Sequence, residues 1–161
     1  MRKNLEAISL GAVVLLLWIT WRALYGPARL PDRIPTHFDF AGQPNGWGSP
    51  AMLWLFPAVA VGIYLLITLV ARFPATFNYP VQVTAENRPR LEALTLRMIA
   101  WMKAEILCLF AWIQWMIVAA ARQGHTGLSA ALMPVCIVVI FSTVGWHIVA
   151  MRRAAKAGGN S

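Results

Sequence analysis

Residues 51–71 read AMLWLFPAVAVGIYLLITLVA, 21 positions without a charge. A helix needs about 20 mostly apolar residues to cross the hydrocarbon core of a bilayer, so this stretch is long enough to span one. Residues 128–151 form a second run, 24 residues long, in which His147 is the one ionisable side chain besides Cys136. Residues 98–121 are long enough but contain Lys103 and Glu105, and 7–21, bounded by Glu6 and Arg22, are only 15 residues. Arg22 can carry its charge to the interface along its own methylenes, which extends the first helix to about Tyr25. The expectation is one membrane domain over 1–161 with spans near 5–25, 51–71, 98–121 and 128–151. Its class is an all-α integral membrane protein, a four-transmembrane-helix bundle. Arg2 and Lys3 before an apolar run also suit a signal peptide. No small-x-small pattern follows them, and Trp18, Trp21 and Arg22 stand where a peptidase would cut, so an uncleaved anchor is expected.

Composition agrees with that class. Of 161 residues, 59% are hydrophobic and 12% charged, against about 45–50% and about 25% in soluble domains. The net charge of +8 would suggest nucleic acid for a soluble chain. Four spans distribute it differently. Arg2, Lys3, Arg72, Arg88, Arg90, Arg97, Arg152, Arg153 and Lys156 fall on one side, and Arg22, Arg29, Arg33 and Arg122 on the other. By the positive-inside rule both termini are cytoplasmic, in a multi-pass protein of a bacterial inner membrane, and no nucleic-acid partner is expected. Trp18, Trp21, Trp47, Trp54, Trp101 and Trp146 sit near span ends, where indole rings favour the interface. Cys108 and Cys136 lie inside spans and read as reduced packing residues.

The loop between the first two spans, 26–50, is not a neutral linker. Pro27, Pro31 and Pro35 exclude a helix. Alternation then places His37 and Asp39 on one side and Phe38 and Phe40 on the other, before the turn-rich Gly42-Gln43-Pro44-Asn45-Gly46. This predicts an ordered extracellular cap with a short strand or hairpin, buried through Phe38, Phe40 and Trp47. In the second loop, 72–97, the stretch from Phe77 to Val83 reads as extended. Asn87 reads as an N-cap with Pro89 in the first turn, so a helix enters the third span from the cytoplasmic side. The third loop, near 122–127, is short enough to make spans three and four antiparallel neighbours. The basic, Gly-rich tail from Met151 is expected to fray.

The string Leu30-Pro31-Asp32-Arg33-Ile34-Pro35-Thr36-His37-Phe38-Asp39-Phe40-Ala41-Gly42-Gln43-Pro44-Asn45-Gly46-Trp47-Gly48 resembles the signature of the bacterial membrane family called domain of unknown function 1648. That family's pattern, L-P-x-x-I-P-x-H-F-x-x-x-G-x-P-D-x-W-G, lies between its first two spans. Asn45 departs from it: the family usually has Asp there, and Asn keeps the acceptor without the charge. Asn78-Tyr79-Pro80 and Thr84-Ala85-Glu86-Asn87 also look like stretches that recur in members with four spans. The resemblance implies kinship with SdpI-like immunity and signalling proteins. The function it implies is recognition of an extracellular peptide or toxin, with Asp32, His37, Asp39, Asn45 and Trp47 as the contacts. Membrane lipids, a cytoplasmic regulator and a second copy of the chain are the other partners it allows.

The chemistry-bearing residues leave alternatives open. His37 and Asp39 suit a structural or peptide-contacting role, a metal site in a membrane enzyme, or an acid/base pair. No recognised catalytic motif or metal-ligand spacing is present, so neither catalysis nor a cofactor is expected. Glu105 must face protein or water. Trp101, Glu105, Cys108, Trp112 and Trp115 share heptad spacing and define a face expected to point into the bundle. Lys103 is expected to point elsewhere and reach the cytoplasmic surface. Glu105 is expected to pair with His147, and Gln114 to bond between helices. A transporter or channel with a polar path along Glu105, His147 and Gln114 is the rival function.

Overall fold

The structure, a computed structural model, describes residues 2–123 and 132–158. Helix α1 (Arg2–Tyr25) leads into an antiparallel hairpin of β1 (Ile34–Phe38) and β2 (Pro44–Gly48). A 3-10 turn (Pro50–Trp54) runs into α2 (Leu55–Val70), a second short turn (Pro74–Thr76) follows, and then come α3 (Arg88–Gln123) and α4 (Leu132–Gly158). Four helices are long and apolar enough to cross a membrane. The fold is therefore mostly helical rather than all-α, because the loop between the first two spans folds into a sheet.

Helix α1 is central. From its start to its end, Leu5 meets Ala100 and Ala104, then Ala12, Val13 and Leu16 meet Leu107 and Ala111, then Ile19 and Ala23 meet Ile117, Val118 and Ala121. Residue numbers rise together, so α1 and α3 run parallel. Helix α2 descends beside both, with Ala60 buried in the middle layer. Helix α4 runs back along α3, where Met151 and Ala154 cover Leu91. The start of α1, the end of α4 and the α2–α3 connection thus lie at one end of the bundle, and the hairpin at the other. The alanines along these seams let backbones approach closely, which is how helices associate where lipid removes the hydrophobic driving force.

The buried face of α3 is Ala100, Ala104, Leu107, Ala111, Gln114, Val118 and Ala121. The neighbouring tryptophan face expected to point inward is instead outside: Trp101, Trp112, Trp115 and Cys108 are exposed. Both stripes have the same heptad spacing, one residue apart. Side-chain size decides between them, since indole rings prevent the close approach that alanines permit.

Both ends of the α2–α3 connection carry local bonds. Asn87 occupies the capping position by its backbone, whose carbonyl accepts from Leu91 N at 3.0 Å. Its side chain turns backward instead, accepting from Thr84 N (2.9 Å) and donating to Gln82 O (3.0 Å). The segment 77–83 has no regular structure, yet Tyr79, Val81 and Val83 pack on Leu91, Met151 and Ala154. That packing explains why the tail is not frayed where described: α4 continues to Gly158 because its first tail turns have a surface to cover. The third loop, His125 and the expected start of the fourth span at residue 128 lie outside the described residues.

Candidate functional site

The hairpin is built by its own polar residues. Asp39 accepts from Gly42 N at 2.9 Å through its carbonyl, and from Gln43 N at 2.8 Å through Oδ1, while its amide donates to Gln43 O at 2.9 Å. Gly42 takes a φ of 78°, a left-handed conformation that favours glycine. Across the strands, His37 Nδ1 donates to Asn45 Oδ1. Asn45 thus supplies the neutral acceptor at the position where the family signature carries a carboxylate. Arg33 donates to the Trp47 carbonyl at 3.2 Å.

Ile34 and Phe38 seat this hairpin on Ile19, Ala23, Ile117, Val118 and Ala121, joined by Leu30 and Leu53. The expected anchors differ. Phe38 does pack, but Phe40 stands at the tip with 107% relative exposure and Trp47 retains 50%. The reason is the turn: residues 39–43 close on themselves, so the alternation ends at Phe38 and Phe40 has no face to share.

Of the five expected contact residues, the structure brings His37 and Asn45 together and places Asp39 in the turn. Asp32 and the Trp47 ring are exposed at the same end of the molecule. Asp39 Oδ1 and His37 Nδ1 are engaged in the hairpin's own bonds. Among the described residues no three His, Cys, Asp or Glu side chains gather as a metal site would require.

The polar residues inside the bundle fall into three separate places. Gln114 Nε2 donates to Thr20 Oγ1 at the α1–α3 seam, and Thr20 in turn donates to Leu16 O at 2.9 Å. Glu105 sits at the α3–α4 seam, where Thr143 Oγ1 donates to its Oε1 at 2.5 Å. His147 is 3% exposed and its Nδ1 donates to the Thr143 carbonyl at 2.8 Å. Glu105 and His147 therefore meet through Thr143 rather than directly. Glu105 Oε2 and His147 Nε2 are buried with no hydrogen-bond partner among the described residues. Nine residues separate Gln114 from Glu105, half a helical revolution out of phase, so Gln114 does not join them in one path.

The third place was not anticipated. Lys103 is 3% exposed and does not run to the surface. Its ammonium donates to Glu6 Oε2 (2.7 Å), Glu6 Oε1 (2.8 Å) and Thr68 Oγ1 (3.0 Å), and lies 4.5 Å from the centre of the Tyr64 ring. Tyr64 donates its hydroxyl to Glu6 Oε1 at 2.7 Å, and Thr68 donates to the Tyr64 carbonyl at 2.6 Å. One cluster joins α1, α2 and α3. The signal for it was present in Lys103, a cation on the alanine side of α3, and in Glu6, an anion at the matching end of a parallel helix. Glu6 neutralises Lys103.

Comparison with known proteins bears on the first half of the chain. Residues 12–61 match the family described as "Domain of unknown function (DUF1648)". They comprise the latter half of α1, the hairpin and the first turns of α2. An "Uncharacterized protein" of the archaeon Archaeoglobus fulgidus is 38% identical over 88 residues, which cover 50% of this chain and 44% of the relative. The match thus spans less than half the relative's length. No solved structure matches the chain.

Proposed function

We propose that this chain, whose residues 12–61 match the domain of unknown function DUF1648 and whose four long helices are apolar enough to cross a membrane, recognises an extracellular peptide or toxin through the hairpin, giving immunity or sensing. The observation that supports this reading is the division of the hairpin's two faces. Ile34 and Phe38 fasten one face to the helix ends. The other carries the His37–Asn45 bond and leaves Trp47 exposed, with Phe40 exposed at the tip and Asp32 exposed ahead of β1. Exposed aromatic side chains on a fixed scaffold are the residue types that contribute most at binding sites. A host expressing the chain and exposed to peptide-containing supernatants of competing strains should survive better than one without it. Trp47→Ala should remove the protection at unchanged membrane yield. Equal survival with and without the chain overturns the reading.

A second reading, a small transporter or channel, draws on the two unpartnered acceptors at the α3–α4 seam. A buried carboxylate oxygen and imidazole nitrogen that lack donors suit the uptake and release of a proton. Proton flux into proteoliposomes separates the two readings. Transport requires that Glu105→Gln abolish flux while His37→Ala leaves it intact, whereas recognition by the hairpin requires no flux at all.

A further inference from the structure

Two clefts open between α1 and α3. The one nearer the hairpin, about 330 Å³, is lined by Arg22 and Arg122 with Trp18 and Trp115. The one below it, about 520 Å³, is lined by Gly11, Ala12, Cys108, Ala111 and Trp112, and contains no charged side chain. Trp18, Ile19 and Trp115 line both, so the two form one continuous groove.

The groove has a polarity and a length. Arg22 and Arg122 stand in the last turns of parallel helices, which brings both guanidinium groups to the same end. Neither forms an ion pair among the described residues, where the ion pairs are Arg88–Glu92 and Lys103–Glu6. From Arg22 down to Gly11 is about 16 Å at 1.5 Å per residue, close to half the roughly 30 Å hydrocarbon core. The floor is open because Gly11 has no side chain and nothing stands within 4 Å of where a Cβ would project. The inward-facing residues cannot close it, since Ala12 and Ala111 are already committed to the helix seam.

We propose that this groove binds one anionic phospholipid. Its phosphate sits between Arg22 and Arg122, where planar guanidinium groups match phosphate oxygens. Trp18 and Trp115 flank the glycerol region, and one acyl chain lies along Gly11, Cys108, Ala111 and Trp112. Charge complementarity selects the headgroup, and the uncharged lower cleft together with the one-leaflet length of the whole groove selects a lipid over a soluble anion. The site is separate from the exposed face of the hairpin.

Native mass spectrometry of the full chain in detergent, supplied with equal phosphatidylglycerol and phosphatidylcholine, tests this. One phosphatidylglycerol per chain should be retained in preference to phosphatidylcholine. Arg22→Gln with Arg122→Gln should lower its retention by about thirtyfold, taking each arginine's contact with an anionic headgroup at its usual strength. Gly11→Leu, whose Cβ would meet no atom within 4 Å and which lies eleven residues from Arg22 on α1, should also lower it while leaving helicity unchanged. Equal retention of the two lipids, or undiminished phosphatidylglycerol retention in either variant, overturns the proposal. So does displacement of the bound lipid by millimolar inorganic phosphate alone, which would make the arginine pair a simple anion site.

Discussion

Lys103 is a buried cation in the bundle, and its three donors are all engaged, two by Glu6 and one by Thr68. The two partners are unequally placed: the Lys103 side chain is 4% exposed and that of Glu6 43%. Removing either one therefore has different consequences. Glu6→Ala strands a buried ammonium and should cost about 3 kcal/mol, in the range for breaking a buried pair. Lys103→Met leaves a carboxylate that solvent can reach and should cost about 1 kcal/mol. The double variant should recover most of the loss, because it leaves no buried charge. Thermal unfolding in detergent micelles measures all three, and a larger loss for Lys103→Met would contradict this account of which charge depends on which.

At the scale of elements, the hairpin depends on two glycines for different reasons. Gly42 adopts a left-handed turn conformation. Gly46 faces His37 across the strands, and a Cβ there would stand 2.8 Å from His37 Cβ, an atom fixed by the backbone. Gly46→Ala must push the strands apart and should cost about 1–3 kcal/mol of hairpin stability, as overpacking does. Hydrogen exchange locates the effect: the Asp39 and Gln43 amides should exchange faster, while those of α1 around Leu16 stay as they are. Helix α3 shows the complementary case of an element chosen by size. Its alanine stripe and its tryptophan stripe are equally periodic, and only the first can approach α1 closely enough to bury Lys103 and Gln114.

For the whole molecule, the parallel α1 and α3 and the returning α2 and α4 put the start of α1 and the end of α4 together and the hairpin opposite them. With more basic residues at the shared end, the hairpin is expected outside the cell. A single cysteine at Ser49, with Cys108→Ala and Cys136→Ala, should react with an impermeant thiol reagent added to intact cells. Labelling only after lysis would invert the orientation and place the hairpin in the cytoplasm. Helix α4 packs on α3 and is the least buried of the four, so it is the helix that lipid surrounds most fully. Its polar contact with the bundle is concentrated at Thr143, His147 and Glu105.

Hydrophobic run length, extended at Arg22, determined the four helices long and apolar enough to cross a membrane, because the thickness of a bilayer sets the length of helix that crosses it, whatever the packing. Proline spacing and the string from Leu30 to Gly48 likewise determined that the first loop is ordered and pointed to the family that residues 12–61 match. Pairings between helices were decided only by tertiary structure. Whether Lys103 meets Glu6 or runs to the surface, whether Glu105 reaches His147 directly or through Thr143, and whether the alanine or the tryptophan face of α3 turns inward depend on how the helices rotate about their axes. That rotation is set by the summed contact of small side chains along three helices, a quantity no single helix's periodicity contains. The same limit applied to Phe40, where alternation along a strand ended as soon as the Asp39 turn closed.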